Sequence, residues 1–544
     1  MAMLLALAAA FSRSDDGSAL ARQRDLVREV ASAWLAAWER GDAAALEELV
    51  AQPVAGGIGA QLDAAFEHLD VRGIRARPLG DVLRGDVATV GFTADLTVGG
   101  LGRWSYRGEL VLLDTAAGWK VDFGPRAVHP ELLPGRSLRR TRSLPGRAPV
   151  LAADGTTLSD AGRPDLAAVR AQLVGRVGPL PAEAVGPDTP LRVAGDPAGV
   201  SGLQAAFDEQ LTGRAAGTVE VTDESGAVVQ VLARFEGEAP EPLRTTIDPA
   251  VQAAAEVALS GGRPAALVAV HGPTGEVRAV VSRPLGGFNR ALEGRYPPGS
   301  TFKVVTATAL LHAGVSVDEV VPCPASTVVD GRRIGNAGGE ELGPIPFRMA
   351  FFRSCNTAFV RLAADRLDGE AITAAAETYG FGEEPRLGVP AAAASFPEPA
   401  SRVELVAAAI GQARVTVSPL HQASVAAAVQ SGAWRPPRVV AGQAGPARPL
   451  PPEAAGTLPD LMRLVVAEGT GTAARLPGTP VAGKTGTAEF GTRVPPRTHA
   501  WFIGFRGELA FAVVVEDAGF GGEVAAPIAA DFLRRVGAAS GAGG

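Results

Sequence analysis

The sequence predicts a multidomain α+β protein: a small cone-shaped α+β domain at the N-terminus, a middle region, and a C-terminal antiparallel sheet covered by helices. Three observations lead there. The chain has 544 residues, room for about three domains of ordinary size. Its first part reads as helix followed by alternating strands. Its last part carries apolar strands at both ends with helices between them. Hydrophobic residues make up 47% and charged residues 20%, the balance of a folded chain. A net charge of −7 argues against a nucleic-acid surface.

At the start, residues 2–11 are apolar and are followed by Ser-Arg-Ser-Asp-Asp. That run is too short to span a bilayer, which needs about twenty residues. We expect residues 1–15 to be the remnant of a signal or anchor whose start lies upstream. From Ala19 to Val50, Leu26, Val30, Ala33, Trp34 and Trp38 recur at helical spacing. Asp70–Arg77, Asp86–Val98, Gly102–Asp114 and Gly118–Phe123 then alternate as antiparallel strands, with Trp119 and Phe123 as core residues. Arg136–Arg147 is basic and turn-rich and reads as a solvated linker. Further on, strands are expected at Ala265–Val270 and Val277–Val281, a long helix after Pro298-Gly299, and a surface loop at Ala441–Pro452. Two late strands, Ala500–Phe505 and Leu509–Val515, precede a helix over Ala526–Val536.

Residue usage points to chemistry. Of 51 basic residues only Lys120, Lys303 and Lys484 are lysine, and the only asparagines are Asn289, Asn336 and Asn356. Lysine can lose its proton when desolvated, whereas arginine cannot. Two of the lysines fall in short motifs that occur in order: Ser300-Thr-Phe-Lys303, Ser354-Cys-Asn356 and Lys484-Thr-Gly-Thr487.

In the first motif, Tyr296-Pro-Pro-Gly delivers Ser300 to a helix start, and residues three apart share a helix face, so Lys303 is expected to reach Ser300. A serine hydroxyl attacks only when a base takes its proton. Lys303 can be that base if burial and the Lys484 cation lower its pKa. The Ser300 N–H at the helix start can face a developing oxyanion. Ser354 can relay a proton, and Asn356 offers a donor and an acceptor to a substrate amide. Lys484-Thr-Gly-Thr reads as a strand lining a cleft. Gly486 is expected to leave room for a substrate backbone, while Lys484, Thr485 and Thr487 hold a terminal carboxylate. Glu489, His499 and Trp501 read as packing around this group. Nothing suggests a metal or organic cofactor.

From about Leu243 to Val536, and most closely in Tyr296-Pro-Pro-Gly-Ser-Thr-Phe-Lys, the chain resembles the penicillin-binding transpeptidases, with their serine β-lactamase/transpeptidase-like fold. Pro273-Thr-Gly-Glu-Val277 and His499-Ala-Trp-Phe-Ile-Gly-Phe fit as well. Gly118-Trp-Lys-Val-Asp-Phe-Gly and Val128-His-Pro-Glu-Leu resemble the nuclear transport factor 2-like (NTF2-like) domain at the front of methicillin-resistance-type members. Arg147-Ala-Pro-Val-Leu-Ala-Ala-Asp-Gly-Thr-Thr-Leu resembles the opening of their pedestal, or dimerisation, domain, although Ala148, Ala152 and Ala153 depart from the usual Gly, Asp and Arg. The resemblance implies an NTF2-like domain over 16–132, an elongated pedestal domain over 133–243 and a transpeptidase domain over 244–544. It implies that Ser300 and Thr487 N–H groups form an oxyanion hole. It also implies that Ser300 attacks the penultimate D-alanine of a peptidoglycan stem peptide, D-alanine leaves, and a neighbouring amine resolves the acyl-enzyme. β-Lactam antibiotics acylate the same serine.

No glycosyltransferase region fits, so the resemblance is to the monofunctional class B type, outside the cell membrane and beside a candidate membrane glycan polymerase. Cys323 and Cys355 are read either as a disulfide in that oxidising exterior or as buried free thiols. Two other functions are open. A class D β-lactamase shares Ser-Thr-Phe-Lys and the Tyr379-Gly380 pair, but Phe381 and Asn356 depart from it. A non-catalytic wall-assembly protein that binds β-lactams could keep the fold, but the intact motifs argue against a degenerate site.

Overall fold

The computed structural model of the chain describes residues 2–541, apart from 187, 443, 444 and 494, and side chains from 18 to 538. The side chains of residues 1–15, where an anchor remnant is expected, lie outside the described residues. Among the described residues, no helix is long and apolar enough to cross a membrane. The chain forms two compact units. One takes the residues up to Arg147 with Gly178–Ala198 and Glu209–Glu241; the other takes Ala148–Val177, Gly199–Asp208 and the chain from Pro242 onward.

In the first unit, α1 (Ala2–Arg40), α2 (Ala43–Leu49) and α3 (Ile58–Phe66) precede an antiparallel sheet. Its strands β1 (Val71–Arg84), β2 (Val87–Val98), β3 (Gly102–Thr115) and β4 (Gly118–Val121) pair in sequence order. The single helix expected over residues 19–50 is therefore two. Gly41 at φ +65° ends α1, and Asp42 accepts the Ala45 N–H at 3.1 Å to start α2. The buried stripe of α1 is Val27, Ala31, Trp34 and Trp38. It is rotated one residue from the expected Leu26 and Val30, because Leu26 is 47% exposed. Alternate residues of β2, from Ala88 through Phe92 to Val98, are all buried, as period-two strands with one covered face require. Trp38 sits edge-on to Phe92 with ring centroids 5.9 Å apart, and Trp119 is buried as expected.

The same unit holds a second sheet of order β7-β6-β5, made of β5 (Ser137–Ser143), β6 (Ala216–Thr222) and β7 (Val228–Phe235). The basic stretch Arg136–Arg147, expected as a solvated linker, is thus largely a strand. The reason is that its charges find acids: Arg139 bonds Glu220 at 3.0 Å, and Arg142 bonds both oxygens of Asp196 at 2.8 and 2.7 Å. Leu138 from the same strand is buried.

The second unit contains α4 (Pro249–Ala258) and a five-stranded, wholly antiparallel sheet. The strands are β8 (Ala265–His271), β9 (Glu276–Arg283), β10 (Ala482–Phe490), β11 (Arg497–Arg506) and β12 (Leu509–Val515), in the order β9-β8-β12-β11-β10. Between β9 and β10 the chain forms α5 (Lys303–His312), α6 (Asn356–Arg366), α7 (Pro419–Ser431) and α8 (Pro452–Ala467); α9 (Gly521–Gly541) follows β12. The central strands read as continuous apolar runs because both faces are covered. Leu267, Phe502, Phe511 and Val513 pack with Ala255 of α4 and Ala529 and Phe532 of α9. On the other face lies α7, buried all round from Pro419 to Val429, as a helix with no polar side must be. The expected loop at residues 441–452 contributes a short strand, Arg448–Pro449, paired with Ala433–Trp434.

Candidate active site

β10 is an edge strand of the second sheet and carries Lys484, Thr485, Gly486 and Thr487. The Ser300 turn is packed onto it. Tyr296 pairs with Val417 through reciprocal 2.9 Å backbone bonds, and its hydroxyl donates to Glu516 at 2.7 Å. Trp501 Nε1 donates to Pro297 O at 3.2 Å, which accounts for Trp501 as a packing residue. Gly299 at φ +54° then turns the chain, and its N–H donates to Gly411 O at 2.9 Å. Residues Gly299–Phe302 form a 3-10 turn that runs into α5 at Lys303.

The contact is too close for side chains. A Cβ on Gly299 would lie 2.8 Å from Thr487 O. One on Gly486 would lie 2.9 Å from Thr301 Cγ2 and 3.0 Å from Pro298 O. Gly486 thus makes room for the protein's own backbone, since the segment packed against it is the Ser300 turn. Gly411, whose Cβ would fall 1.9 Å from Gly299 O, belongs to the same packing, and nothing near it in the sequence signals this.

Ser354 lies in the turn between the helix Phe347–Phe352 and α6, at φ +60°, a left-handed conformation that a non-glycine residue adopts only when held. Cys355, the next residue, is bonded to Cys323 with Cα atoms 6.3 Å apart, so the disulfide reading holds over the free-thiol one. Lys303 Nζ, fully buried, lies 2.7 Å from Ser354 O, 3.2 Å from Ser354 Oγ and 2.7 Å from Asn356 Oδ1. Lys484 Nζ, also fully buried, donates to Ser354 Oγ at 2.9 Å and to Thr485 O at 3.1 Å.

Both amines lie above aromatic rings, Lys303 5.2 Å from the Phe359 centroid and Lys484 5.9 Å from that of Phe351. Burial, and then the neighbouring Lys484 charge, hold Lys303 well below the ordinary lysine range, while burial brings Lys484 to about 7. A lysine that is neutral near physiological pH can serve as a base.

The three motifs thus meet, with differences in detail. Lys303, Ser354, Asn356 and Lys484 form one hydrogen-bonded group. The direct Lys303–Ser300 bond expected from helical spacing is not among the bonds described. The Lys303 amine is drawn instead to three oxygens of the second motif, the partners that satisfy a buried ammonium. Ser300 is half-buried, and its neighbours Gly299 and Thr301 pack against Thr487 and Gly486 of β10. Asn356, expected to hold a substrate amide, has Oδ1 on Lys303 and Nδ2 on Gly335 O at 3.1 Å, so one amide hydrogen remains for a ligand. The Thr485 hydroxyl, expected on a carboxylate, is shared with Thr470 Oγ1 at 2.6 Å. Thr487 Oγ1 accepts the Gly521 N–H at 3.4 Å and is half-buried. His499 stacks on Phe490 at 4.0 Å, and Glu489 is exposed. Among the described residues, no three His, Cys, Asp or Glu are grouped to hold a metal.

The fold and the three motifs are those of a penicillin-binding-type transpeptidase domain, and comparison with known proteins specifies the family. The penicillin binding protein transpeptidase domain matches residues 265–534, and the NTF2-like N-terminal transpeptidase domain matches residues 27–136. The peptidoglycan D,D-transpeptidase PbpA of Mycobacterium tuberculosis is 34% identical over 353 residues, covering 52% of this chain and 70% of that protein. PbpA of Mycolicibacterium smegmatis is 33% identical over 351 residues, with coverage of 52% and 70%. Among solved structures, the ceftriaxone acyl-enzyme complex of M. tuberculosis penicillin-binding protein A superposes with a TM-score of 0.58 at 26% identity, covering 72% of this chain and 98% of the other. Pseudomonas aeruginosa PBP2 in complex with WCK 5153 gives 0.61 at 25% identity, covering 73% and 96%. The chain belongs to the penicillin-binding transpeptidase family, and within it to the class B proteins with an NTF2-like N-terminal domain.

Proposed function

We propose that this protein is a serine-type peptidoglycan D,D-transpeptidase, acting at the outer face of the cell membrane. The observation that carries the reading is a single hydroxyl, Ser354 Oγ, held between two fully buried lysines beside the Ser300 turn. Ser300 Oγ attacks the carbonyl of the penultimate D-alanine. Neutral Lys303 receives the hydroxyl proton, directly or through Ser354. The Ser300 and Thr487 N–H groups face the oxyanion, where each such donor is worth roughly 3 kcal/mol. The proton returns through Ser354 to the leaving D-alanine nitrogen. An amine of a neighbouring stem peptide then attacks the acyl-enzyme, giving up its proton along the same path in reverse and restoring Ser300. Lys484, charged, and the Thr487 hydroxyl hold the terminal carboxylate, while Asn356 donates its remaining amide hydrogen to the peptide. A β-lactam carries the same carboxylate and acylates Ser300 by opening its ring, so its amine stays tethered.

The partners in this reading are stem peptides, β-lactams and a membrane glycan polymerase that supplies the strands. We further propose the three-part division 16–132, 133–243 and 244–544. Mass spectrometry of the full chain after penicillin treatment tests the function. The expected result is one persistent adduct on Ser300, absent in Ser300→Ala. Absence of an adduct on the wild-type chain, or its release within seconds, would refute the transpeptidase reading.

A further inference from the structure

A chain that uses arginine and other polar residues freely keeps asparagine at only three places, and two of them meet at the second motif. Asn289 caps a short helix elsewhere, accepting the Leu292 N–H at 3.3 Å. Asn356 is part of the site. Asn336 lies twenty residues before it, in an excursion of the chain between α5 and the helix Phe347–Phe352. That excursion consists of two small antiparallel pairs, Val320–Cys323 with Gly343–Pro346 and Ser326–Val329 with Arg332–Gly335.

The excursion grips the Ser354–Thr357 stretch at three consecutive residues. Cys323 is bonded to Cys355. Gly335 O accepts the Asn356 Nδ2 hydrogen at 3.1 Å. Asn336 Oδ1 accepts the Thr357 N–H at 3.0 Å, one of the free N–H groups in the first turn of α6. Cys355, at the N-cap of that helix, offers only a sulfur to the Ala358 N–H at 3.4 Å, a poor acceptor. The side chain that caps α6 with oxygen therefore comes from Asn336. Its Nδ2 donates to Pro324 O at 3.0 Å and to Glu340 O at 2.7 Å, which ties both arms of the excursion to the same carboxamide. Thr357, fully buried, completes the joint by donating from Oγ1 to Pro324 O at 2.8 Å.

We propose that Asn336 is a positioning residue for the transpeptidase reaction, acting through Asn356. It fixes Gly335 O against Asn356 Nδ2, and this decides which end of the Asn356 carboxamide faces Lys303. Were the amide to turn over, an N–H would point at the Lys303 amine in place of Oδ1, and the 2.7 Å acceptor would be lost. Asn336 touches neither Ser300 nor either lysine in the bonds described. The inference rests on the reading of Ser300 as the acylated residue.

The test is the second-order rate of fluorescent-penicillin labelling of the full chain, followed against pH. Asn336→Ala is expected to lower the rate by about tenfold, the effect of one lost hydrogen bond at the reacting centre. It should also move the acid limb of the profile to lower pH, since Asn356 Oδ1 stabilises the Lys303 ammonium and Lys484 is the charged group acting on it. In an Asn356→Ala background the same substitution is expected to change the rate little. A merely structural role would lower the labelled fraction without moving the limb. An Asn336→Ala protein that labels at the wild-type rate with an unmoved limb, or an effect that persists undiminished without Asn356, overturns the inference and leaves the transpeptidase reading standing. If Asn336→Ala does not fold, Asn336→Asp, which keeps the oxygen on Thr357 but loses the donors to Pro324 and Glu340, is read by the same criteria. A wild-type chain that never labels overturns both.

Discussion

Lys303 and Lys484 share one hydroxyl: Ser354 Oγ lies 3.2 Å from the first amine and 2.9 Å from the second. A hydroxyl has one proton to give and two lone pairs, so Ser354 can accept from one amine while donating to the other. It connects a proton donor and a proton acceptor without either buried chain having to move. Its left-handed backbone, at φ +60°, is the price of that placement, and the Cys323–Cys355 bond holds the adjoining residue.

Ser354→Ala is expected to lower the rate of penicillin acylation by about a hundredfold or more, the ordinary contribution of a positioned proton-transfer group. Stopped-flow or gel-based labelling measures it. Labelling at the wild-type rate would mean that the lysines work without the shared hydroxyl.

The pH profile should be bell-shaped. Acylation rises as pH passes upward through the lowered Lys303 pKa, because only the neutral amine is a base. It falls above about 7, where Lys484 loses the charge that holds the carboxylate. Lys484→Met removes the cation that depresses Lys303, so the acid limb should move to higher pH. An unmoved limb would dissociate the two lysines.

Stability should follow the same protons. Lys484 binds fewer protons folded than unfolded between about 7 and its ordinary value, so folding stability is expected to rise with pH across that window. Denaturant titrations at several pH values check it, and the rise should flatten in Lys484→Met. An equal slope in wild type and variant would contradict the buried, neutralised lysine.

Reduction of the Cys323–Cys355 bond should destabilise the second unit by about 2–4 kcal/mol, the usual range for a closed loop of moderate length. Because Cys355 adjoins Ser354, acylation should slow along with the drop in Tm. Thiol titration of the denatured, unreduced chain should find no free thiols; two would contradict the bond.

Gly486→Ala should be severe although it adds one methyl group. The new Cβ would meet Thr301 Cγ2 and Pro298 O at about 3 Å, forcing the Ser300 turn away from β10. We expect a loss of about 1–3 kcal/mol in stability and little remaining penicillin labelling. Normal labelling would show that the turn and the strand can separate without harm.

Much of the site was legible in the sequence because its chemistry demands residue types that little else demands. Two lysines in a chain that otherwise prefers arginine, each inside a short motif, point to amines that must be able to lose a proton. The strand runs of the second sheet were legible for a related reason: a strand covered on both faces must be apolar throughout, as β8 and β12 are. The arginine-rich strand β5 was not legible, since its acids Glu220 and Asp196 lie far along the chain and local composition alone looks like a solvated turn.

What the sequence by itself determined is therefore the inventory: two serine hydroxyls, two lysine amines and a carboxamide, set in three short motifs. What only the tertiary structure decided is which of them touch. It set Lys303 on Ser354 and Asn356, and assigned the close approach at Gly486 to the Ser300 turn. It also brought Asn336 to the first turn of α6. The physical reason is that each of these contacts depends on hydrogen-bond directions and clearances of a fraction of an ångström between segments remote in the chain, and local periodicity carries no record of either.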